Sequence, residues 1–280
     1  MNNNKPIRVL VVDDVNTVLD VVIAYFDWAG EDLGVTAEVR FAPDVEMLEA
    51  IVDRGERFDV TLVDFGLGTG NPSGLSALDL LHRRDGAGGR VAVHANLADT
   101  NSRLLLAFAA FQWFSDMTVA LIPKVGSTEG ESSKARAKTF VQKIILISQG
   151  KVPEPDKAAS FRKPRTGKNF FKELIRTPED LRNFKIMQHF NSFGEAANAA
   201  HLTEALLANW GTGRRRALEE FMRQASTHRD LAGLLVSPIP ENQGGHTTAA
   251  IISQFAEAQH LFFDDPAVAS HFNSPRQSRS

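Results

Sequence analysis

The sequence contains no cysteine, which excludes disulfide bonds and thiolate metal sites. It also lacks a long apolar run, because the most apolar stretch, Leu104 to Phe111, is far too short to cross a bilayer. The first residues, Met1 to Pro6, lead into a strand-like segment rather than into the apolar core of a signal peptide. These absences predict a cytoplasmic protein that neither spans nor binds a membrane.

Charge is distributed unevenly along the 280 residues, which are enough for two domains. Residues 1–150 have a net charge of −6, whereas residues 151–230 have a net charge of +5. An acidic half followed by a basic segment is typical of a regulatory module joined to a module that binds phosphate groups. A charge of this size is also a common fluctuation, so the pattern gives only weak support.

The pattern of apolar residues divides the chain into regions. Residues 1–150 alternate five strand-like and five helix-like stretches, which predicts a parallel sheet covered on both faces. Residues 151–170 are basic and rich in proline, as is typical of a linker. The pattern then becomes helical throughout, and we expect a helical domain at 171–225. Residues 226–280 are expected to form a helical extension with a disordered tail.

Acidic residues follow two of the predicted strands. Asp64 follows the apolar run Val60–Val63, and the pair Asp13 and Asp14 follows Val9–Val12. Because open α/β folds place their sites at the carboxyl ends of the strands, these three carboxylates are expected to converge. Three oxygen ligands suit Mg²⁺, and one carboxylate can also accept a phosphoryl group.

With these residues the first half of the chain resembles a response-regulator receiver domain. The resemblance implies a flavodoxin-like (βα)5 fold and a phosphoacceptor role for Asp64. It implies that Asp13, Asp14, Asp64 and the backbone carbonyl of Gly66 bind Mg²⁺, and that Lys124 contacts the phosphoryl oxygens. A partner histidine kinase would supply the phosphoryl group, and the chain itself would not be an enzyme.

Three positions depart from the receiver pattern. His94 stands where the family usually has Ser or Thr, Leu121 replaces the usual aromatic residue, and the usual Lys-Pro order is reversed to Pro123-Lys124. As a switch, His94 would donate an N–H group to the phosphoryl group on Asp64, more strongly if the ring is charged. Alternatively, His94 pairs with Asp64 in the resting state and partly replaces the charge of the metal. The second reading is slightly favoured, because an imidazole is bulkier than a hydroxyl group.

The segment Leu104–Phe114 is apolar around its whole circumference. A helix that only covers a sheet needs one apolar stripe, so this helix is expected to be buried on two sides. We expect its second side to contact either another receiver, in a homodimer, or the C-terminal half of the chain.

The second half resembles a LuxR-type helix-turn-helix domain. Thr177-Pro178-Glu179 matches the start of the first helix of that family, Ser192–Ala197 the scaffold helix, and Ala200–Glu204 the turn before the recognition helix. The resemblance implies DNA binding, with side chains near the bases and arginines near the phosphates. The expected DNA contacts are Thr203, Glu204, Ala208, Asn209, Arg214, Arg215 and Arg216.

The run Gly211-Thr212-Gly213 is expected to interrupt the recognition helix. Together the two halves indicate a response regulator of a two-component system that acts as a DNA-binding transcription regulator. Two alternatives stay open. The helical half is an adaptor that binds a protein, or the receiver works without phosphate.

Overall fold

The computed structural model describes residues 5–68, 73–95, 103–124, 132–162, 169–227 and 247–273. The chain forms two compact units. Unit 1 comprises Met1–Leu97 and Ala109–Arg162, and unit 2 comprises Ala98–Phe108 and Lys163–Ser280. Among these described ranges, no helix has both the length and the apolar character needed to cross a membrane.

Five strands and five helices alternate along the described residues of the first half of the chain. They are β1 (Ile7–Val12), α1 (Asn16–Leu33), β2 (Ala37–Ala42), α2 (Val45–Asp53), β3 (Val60–Val63), α3 (Gly74–Arg83), β4 (Arg90–Ala95), α4 (Leu104–Trp113), β5 (Thr118–Pro123) and α5 (Ser133–Ser148). The strands form one parallel sheet in the order β2-β1-β3-β4-β5. This is the flavodoxin-like order, and it confirms the fold class predicted from the sequence.

The central strands form because their sequences are apolar on both faces. Every residue of β3 is buried, as are Val9–Val12 of β1, which is typical of a parallel sheet covered by helices on both sides. One face packs against α1 and α5, through side chains such as Phe26 and Phe140. The polar exception, Thr61, donates a 2.7 Å hydrogen bond to the carbonyl of Gly88. The sheet therefore has an apolar interior that brings the ends of its strands to one edge.

Helix α4 is divided between the two units, and its first half belongs to unit 2. There Phe108 stacks on Phe171 at 5.9 Å and meets Phe221 edge-on at 5.3 Å between ring centroids. The backbone N–H of Leu105 donates to the Gln259 side chain at 3.0 Å. The second side of α4 was expected to contact either another receiver or the C-terminal half of the chain. In the structure, the first half of α4 contacts residues of the C-terminal half.

Residues 151–162 belong to unit 1 rather than to an open linker. Phe161 is buried and stacks on Phe111 at 6.0 Å, and its carbonyl accepts a hydrogen bond from Gln112 at 3.2 Å. Arg162 donates to the carbonyl of Val119 at 2.6 Å. The linker expected at 151–170 therefore begins with a packed segment.

The described residues of unit 2 form seven further helices. They are α6 (Phe170–Leu174), α7 (Pro178–Met187), α8 (Phe193–Ala199), α9 (Glu204–Thr227), α10 (Thr248–Ala258), α11 (His260–Phe263) and α12 (Pro266–Asn273). Aromatic residues form the core: the Phe184 ring lies 5.1 Å from Trp210, 6.1 Å from Phe255 and 5.2 Å from Phe263. The described part of the C-terminal extension thus packs into the helical domain. The disordered tail expected at its end lies outside the described residues.

Candidate functional site

The three acids expected at the sheet edge lie together. Asp13 follows β1 and Asp64 follows β3, and the backbone N–H of Asp64 donates to the carbonyl of Val12 at 2.9 Å. One carboxylate oxygen from each of Asp13, Asp14 and Asp64 lies within 4.8 Å of the other two. Asp13 and Asp64 are buried, whereas Asp14 is exposed. The cluster forms because neighbouring parallel strands end at the same edge.

Lys124 joins the cluster from the end of β5. Its Nζ lies 2.7 Å from Oδ2 of Asp64 and 2.7 Å from Oδ2 of Asp13, and its backbone N–H donates to the carbonyl of Ala95. Burial alone would lower the pKa of Lys124, but the two carboxylates outweigh it and raise that pKa. Burial raises the pKa of Asp13, and the ammonium group opposes this effect. The ammonium group therefore stays charged beside the acids.

The donor set suits a hard divalent cation. Asp13, Asp14 and Asp64 offer carboxylate oxygens, and with one ammonium group nearby the cluster keeps an excess of negative charge. Mg²⁺ prefers such oxygen ligands. Gly66, which the receiver resemblance assigns as a further ligand, lies in the loop two residues after Asp64.

Backbone groups hold the two buried acids in place. Oδ1 of Asp64 accepts the N–H of Phe65 at 2.7 Å, and Oδ1 of Asp13 accepts the N–H of Val15 at 3.1 Å. Gly74, the first residue of α3, packs so closely that a Cβ there would lie 2.1 Å from the carbonyl oxygen of Asp64. Only glycine permits this approach, so Gly74 helps to position the site.

The burial of His94 bears on both of its expected roles. The ring is buried near the end of β4, with its centroid 5.9 Å from that of Phe140. Its Nδ1 has no hydrogen-bond partner among the described residues. Burial, with a smaller effect from the charge of Lys124, lowers the pKa of His94 to about 3. The ring is therefore neutral at pH 7, so it is neither a charged donor nor a substitute for the metal's charge.

The expected helix-turn-helix elements form in unit 2. Helix α7 begins with a capping box, in which the Thr177 hydroxyl accepts the N–H of Asp180 at 3.1 Å and the Asp180 carboxylate accepts the N–H of Thr177 at 3.2 Å. Helix α8 begins after the cap Ser192. His201, with φ of 54°, makes the turn into α9. The boundaries follow local capping signals in the sequence.

The expected interruption of the recognition helix is wrong, because α9 is continuous over Glu204–Thr227. Gly211 is buried, and a Cβ there would lie 2.2 Å from Cζ of Phe193 in α8. Gly213 has no atom within 4 Å of its Cβ position. Gly211 therefore lets α8 and α9 pack closely, and this packing stabilises a helix that its glycines weaken.

The three consecutive arginines of α9 have different environments. Arg214 has a side chain only 13% exposed and lies 3.4 Å from Asp180. It also donates to the carbonyls of Glu173 and Leu174 at 3.0 and 3.1 Å. The Trp210 indole donates to the other oxygen of Asp180 at 2.8 Å. Arg214 is thus a structural residue, which corrects its expected role as a DNA phosphate contact.

The other two arginines are more accessible. Arg215 is half-buried and binds Glu219 at 2.8 Å and the Thr248 hydroxyl at 3.2 Å. Arg216 is exposed and makes no ion pair within the described ranges. Ala208 is half-buried, whereas Thr203 and Glu204 are exposed at the start of α9. An exposed stripe with helical spacing then follows, consisting of Leu206, Asn209, Thr212 and Arg216.

Sequence reasoning missed the Asp180–Trp210–Arg214 network. Thr177 and Asp180 form the capping box of α7, and a Thr followed three residues later by an acidic residue is a local signal for it. No local pattern links Asp180 to Trp210 or Arg214, because these residues are 30 and 34 positions away. The network could be found only from the packing of α7 against α9.

Comparisons with known proteins give structural likenesses alone. No family model matches the chain, and no curated protein matches it either. The chain is similar to the signal receiver domain of a putative Luxo repressor from Vibrio parahaemolyticus, at 14% identity and a TM-score of 0.37, over 52% of this chain and 94% of that one.

It is also similar to RcsB in a structure of two dimers bound to two parallel DNAs, at 12% identity and a TM-score of 0.47, over 90% of this chain and 99% of that one. A third match is the RcsB response regulator of Salmonella typhimurium, at 12% identity and a TM-score of 0.40, over 81% and 97%. Since all three TM-scores lie below 0.5, the function must be inferred from this chain's own residues.

Proposed function

We propose that this chain is a response regulator of a two-component system and that a partner histidine kinase phosphorylates Asp64. One observation carries the proposal. Asp64 is buried at the carboxyl edge of a β2-β1-β3-β4-β5 sheet, 2.7 Å from Lys124 and beside Asp13 and Asp14. Phosphoryl transfer depends mainly on positioning and on neutralising oxygen charge, which this set of groups provides.

In the proposed reaction, a carboxylate oxygen of Asp64 attacks the phosphorus of a phosphohistidine. An O–P bond forms, the N–P bond breaks, and its electron pair returns to the imidazole nitrogen, which then takes up a proton. Lys124 offers positive charge to the phosphoryl oxygens from its place beside Asp64. Bound Mg²⁺, held by Asp13, Asp14, Asp64 and the carbonyl of Gly66, would neutralise further oxygen charge. His94 can still donate one N–H from its neutral ring.

The test is incubation of the full chain with acetyl phosphate and Mg²⁺, followed by intact-mass measurement. We expect one added phosphoryl group, which Asp64→Asn abolishes and chelation with EDTA prevents. Asp116→Asn is the matched control, because it removes an exposed carboxylate of the same unit. If the wild-type chain gains no phosphoryl group, only a phosphate-independent receiver is left.

We propose further that unit 2 binds DNA through the exposed stripe of α9. Asn209, with Thr203 and Glu204 at the start of the helix, would face the bases, and Arg216 would contact a phosphate. Arg215 can contribute only by leaving its bonds to Glu219 and Thr248. A homodimer fits this proposal, because one such helix reads one half-site.

The test is an electrophoretic mobility shift with genomic fragments at several salt concentrations, with and without acetyl phosphate. Arg216→Ala should weaken binding to all fragments alike and lower the salt slope by about 1. Asn209→Ala should instead change the order of preference among fragments. Arg182→Ala on α7, which removes another exposed arginine, is the control and should change neither.

One observation favours a protein partner instead. Leu206, within the exposed stripe, is an apolar side chain with 66% of its surface exposed, and a protein partner would bury this apolar surface. If no fragment shows salt-sensitive binding, unit 2 is a protein-binding adaptor. In that case Leu206→Ala should weaken partner binding more than Arg216→Ala does.

A further inference from the structure

Helix α1 presents an exposed surface that is both acidic and apolar. Its four acids are all exposed, the helix contains no basic residue, and none of the four makes a side-chain ion pair within the described ranges. These acids are Asp20, Asp27, Glu31 and Asp32. Val21, Ile23 and Trp28 of the same helix are 46%, 41% and 48% exposed. Such a surface suits a partner that is both basic and apolar.

Part of this surface forms a groove between α1 and β2, with a volume of about 730 Å³. Its apolar lining comes from Phe26 and Ile23 of the helix and from Val39 of the strand, and two of the unpaired acids, Asp27 and Glu31, lie along it. The groove follows the second half of α1, whereas Asp13 and Asp14 precede the start of that helix. It is therefore separate from the carboxylate cluster.

Strand β2 adds unpaired backbone groups to this groove. Within the described part of the sheet, β2 is an edge strand that pairs only with β1. The carbonyls of Thr36 and Ala42 accept bonds from Ile7 and Asp13, so even-numbered residues of this stretch turn their backbone groups toward β1. Odd-numbered residues of β2, including Val39, therefore turn theirs to the free edge. A free edge beside an apolar groove is a template for an added strand.

We propose that this groove binds an extended segment of a partner protein, which adds a strand to the free edge of β2. In such a strand, residues two positions apart face the same side. The groove selects an apolar residue beside Ile23 and Val39, followed on the same side by Lys or Arg residues beside Asp27 and Glu31. The unpaired acids disfavour nucleic acid and anionic lipid as occupants, because both carry negative charge.

The test uses isotope-labelled full chain and a blocked peptide of sequence Thr-Val-Thr-Lys-Thr-Lys-Thr, titrated and followed by the amide signals in NMR spectra. We expect shifts in β2 residues, including Val39. The double charge reversal Asp27→Lys with Glu31→Lys should weaken binding by about tenfold or more. The same reversal at Asp20 and Asp32, which lie on the same helix but do not line the groove, should leave binding nearly unchanged.

Four results would overturn the proposal. The peptide fails to shift β2 at millimolar concentration, both double reversals weaken it equally, or a peptide with Glu in place of Lys binds as well. The fourth is a dimer of the chain alone in sedimentation that the Asp27 and Glu31 reversal dissociates, because a second copy would then occupy the groove.

Discussion

The strand-end cluster of unit 1 and the arginine run of α9 in unit 2 were both expected to bind phosphate groups. In the cluster, every expected side chain that the structure describes lies at one sheet edge, and Lys124 meets both buried acids at 2.7 Å. In the run, Arg214 pairs with the buried carboxylate of Asp180, Arg215 binds Glu219, and only Arg216 is exposed without an ion pair within the described ranges.

The difference comes from the geometry of the two elements. Parallel strands in one sheet end at a common edge, so residues that follow them are brought together whatever the details of packing. Consecutive residues of a helix point about 100° apart, so three arginines in a row cannot share one face. A run of charged residues on a helix therefore predicts that the region is charged, but it does not predict which of the side chains face solvent or a ligand.

The largest expected effect separates Arg214 from Arg216. Arg214→Ala leaves the buried carboxylate of Asp180 without its cation and should lower the free energy of unfolding by roughly 3–5 kcal/mol. Arg216→Ala should change it by no more than about 0.5 kcal/mol. Urea unfolding followed by circular dichroism measures both. Similar losses for the two variants would contradict the structural role assigned to Arg214.

A second comparison uses the two glycines of α9. Gly211→Ala should lower the free energy of unfolding by about 1–3 kcal/mol, because the added Cβ meets the Phe193 ring. Gly213→Ala should raise it by up to about 1 kcal/mol, since that position is open and alanine favours the helix.

Thermal unfolding of both variants is the measurement. Phe193→Leu should reduce the cost of Gly211→Ala, because a smaller side chain gives the new methyl group room. An equal cost in both backgrounds would show that the helix contact is not the cause.

A further effect concerns His94 in unit 1 and depends on pH. The pKa of His94 falls from 6.5 to about 3 on burial, so the unfolded chain takes up a proton between these values while the native chain does not. Stability should therefore fall as the pH falls below 6.5, by about 2 kcal/mol at pH 5.

The control for this prediction is His94→Leu, which cannot titrate at this position. The free energy of unfolding of both chains, measured by urea at pH 7 and pH 5, gives the difference in their pH dependence. The same dependence in both chains would mean that His94 is not the group responsible.

Much of the site could be read from the sequence, and the misses have identifiable causes. Asp13 and Asp64 were expected because each follows an apolar run, and Lys124 was expected from the receiver resemblance. The expectation that Gly211 interrupts the helix was wrong. The low helix propensity of glycine is visible in the sequence, but the close packing of Gly211 against Phe193 is not. The protonation state of His94 also could not be predicted from the sequence, because burial controls its pKa.

The sequence by itself determined the order of the elements, the parallel sheet, the strand-end acids and the helix caps, because each depends on a local period or on a motif of a few residues. Only the tertiary structure decided which arginine pairs with the buried Asp180, why α9 stays continuous and how α4 is divided between the two units. These outcomes depend on contacts between distant residues, such as Arg214 with Asp180 across 34 positions and Leu105 with Gln259 across 154. No local pattern encodes such pairs, since packing alone brings them together.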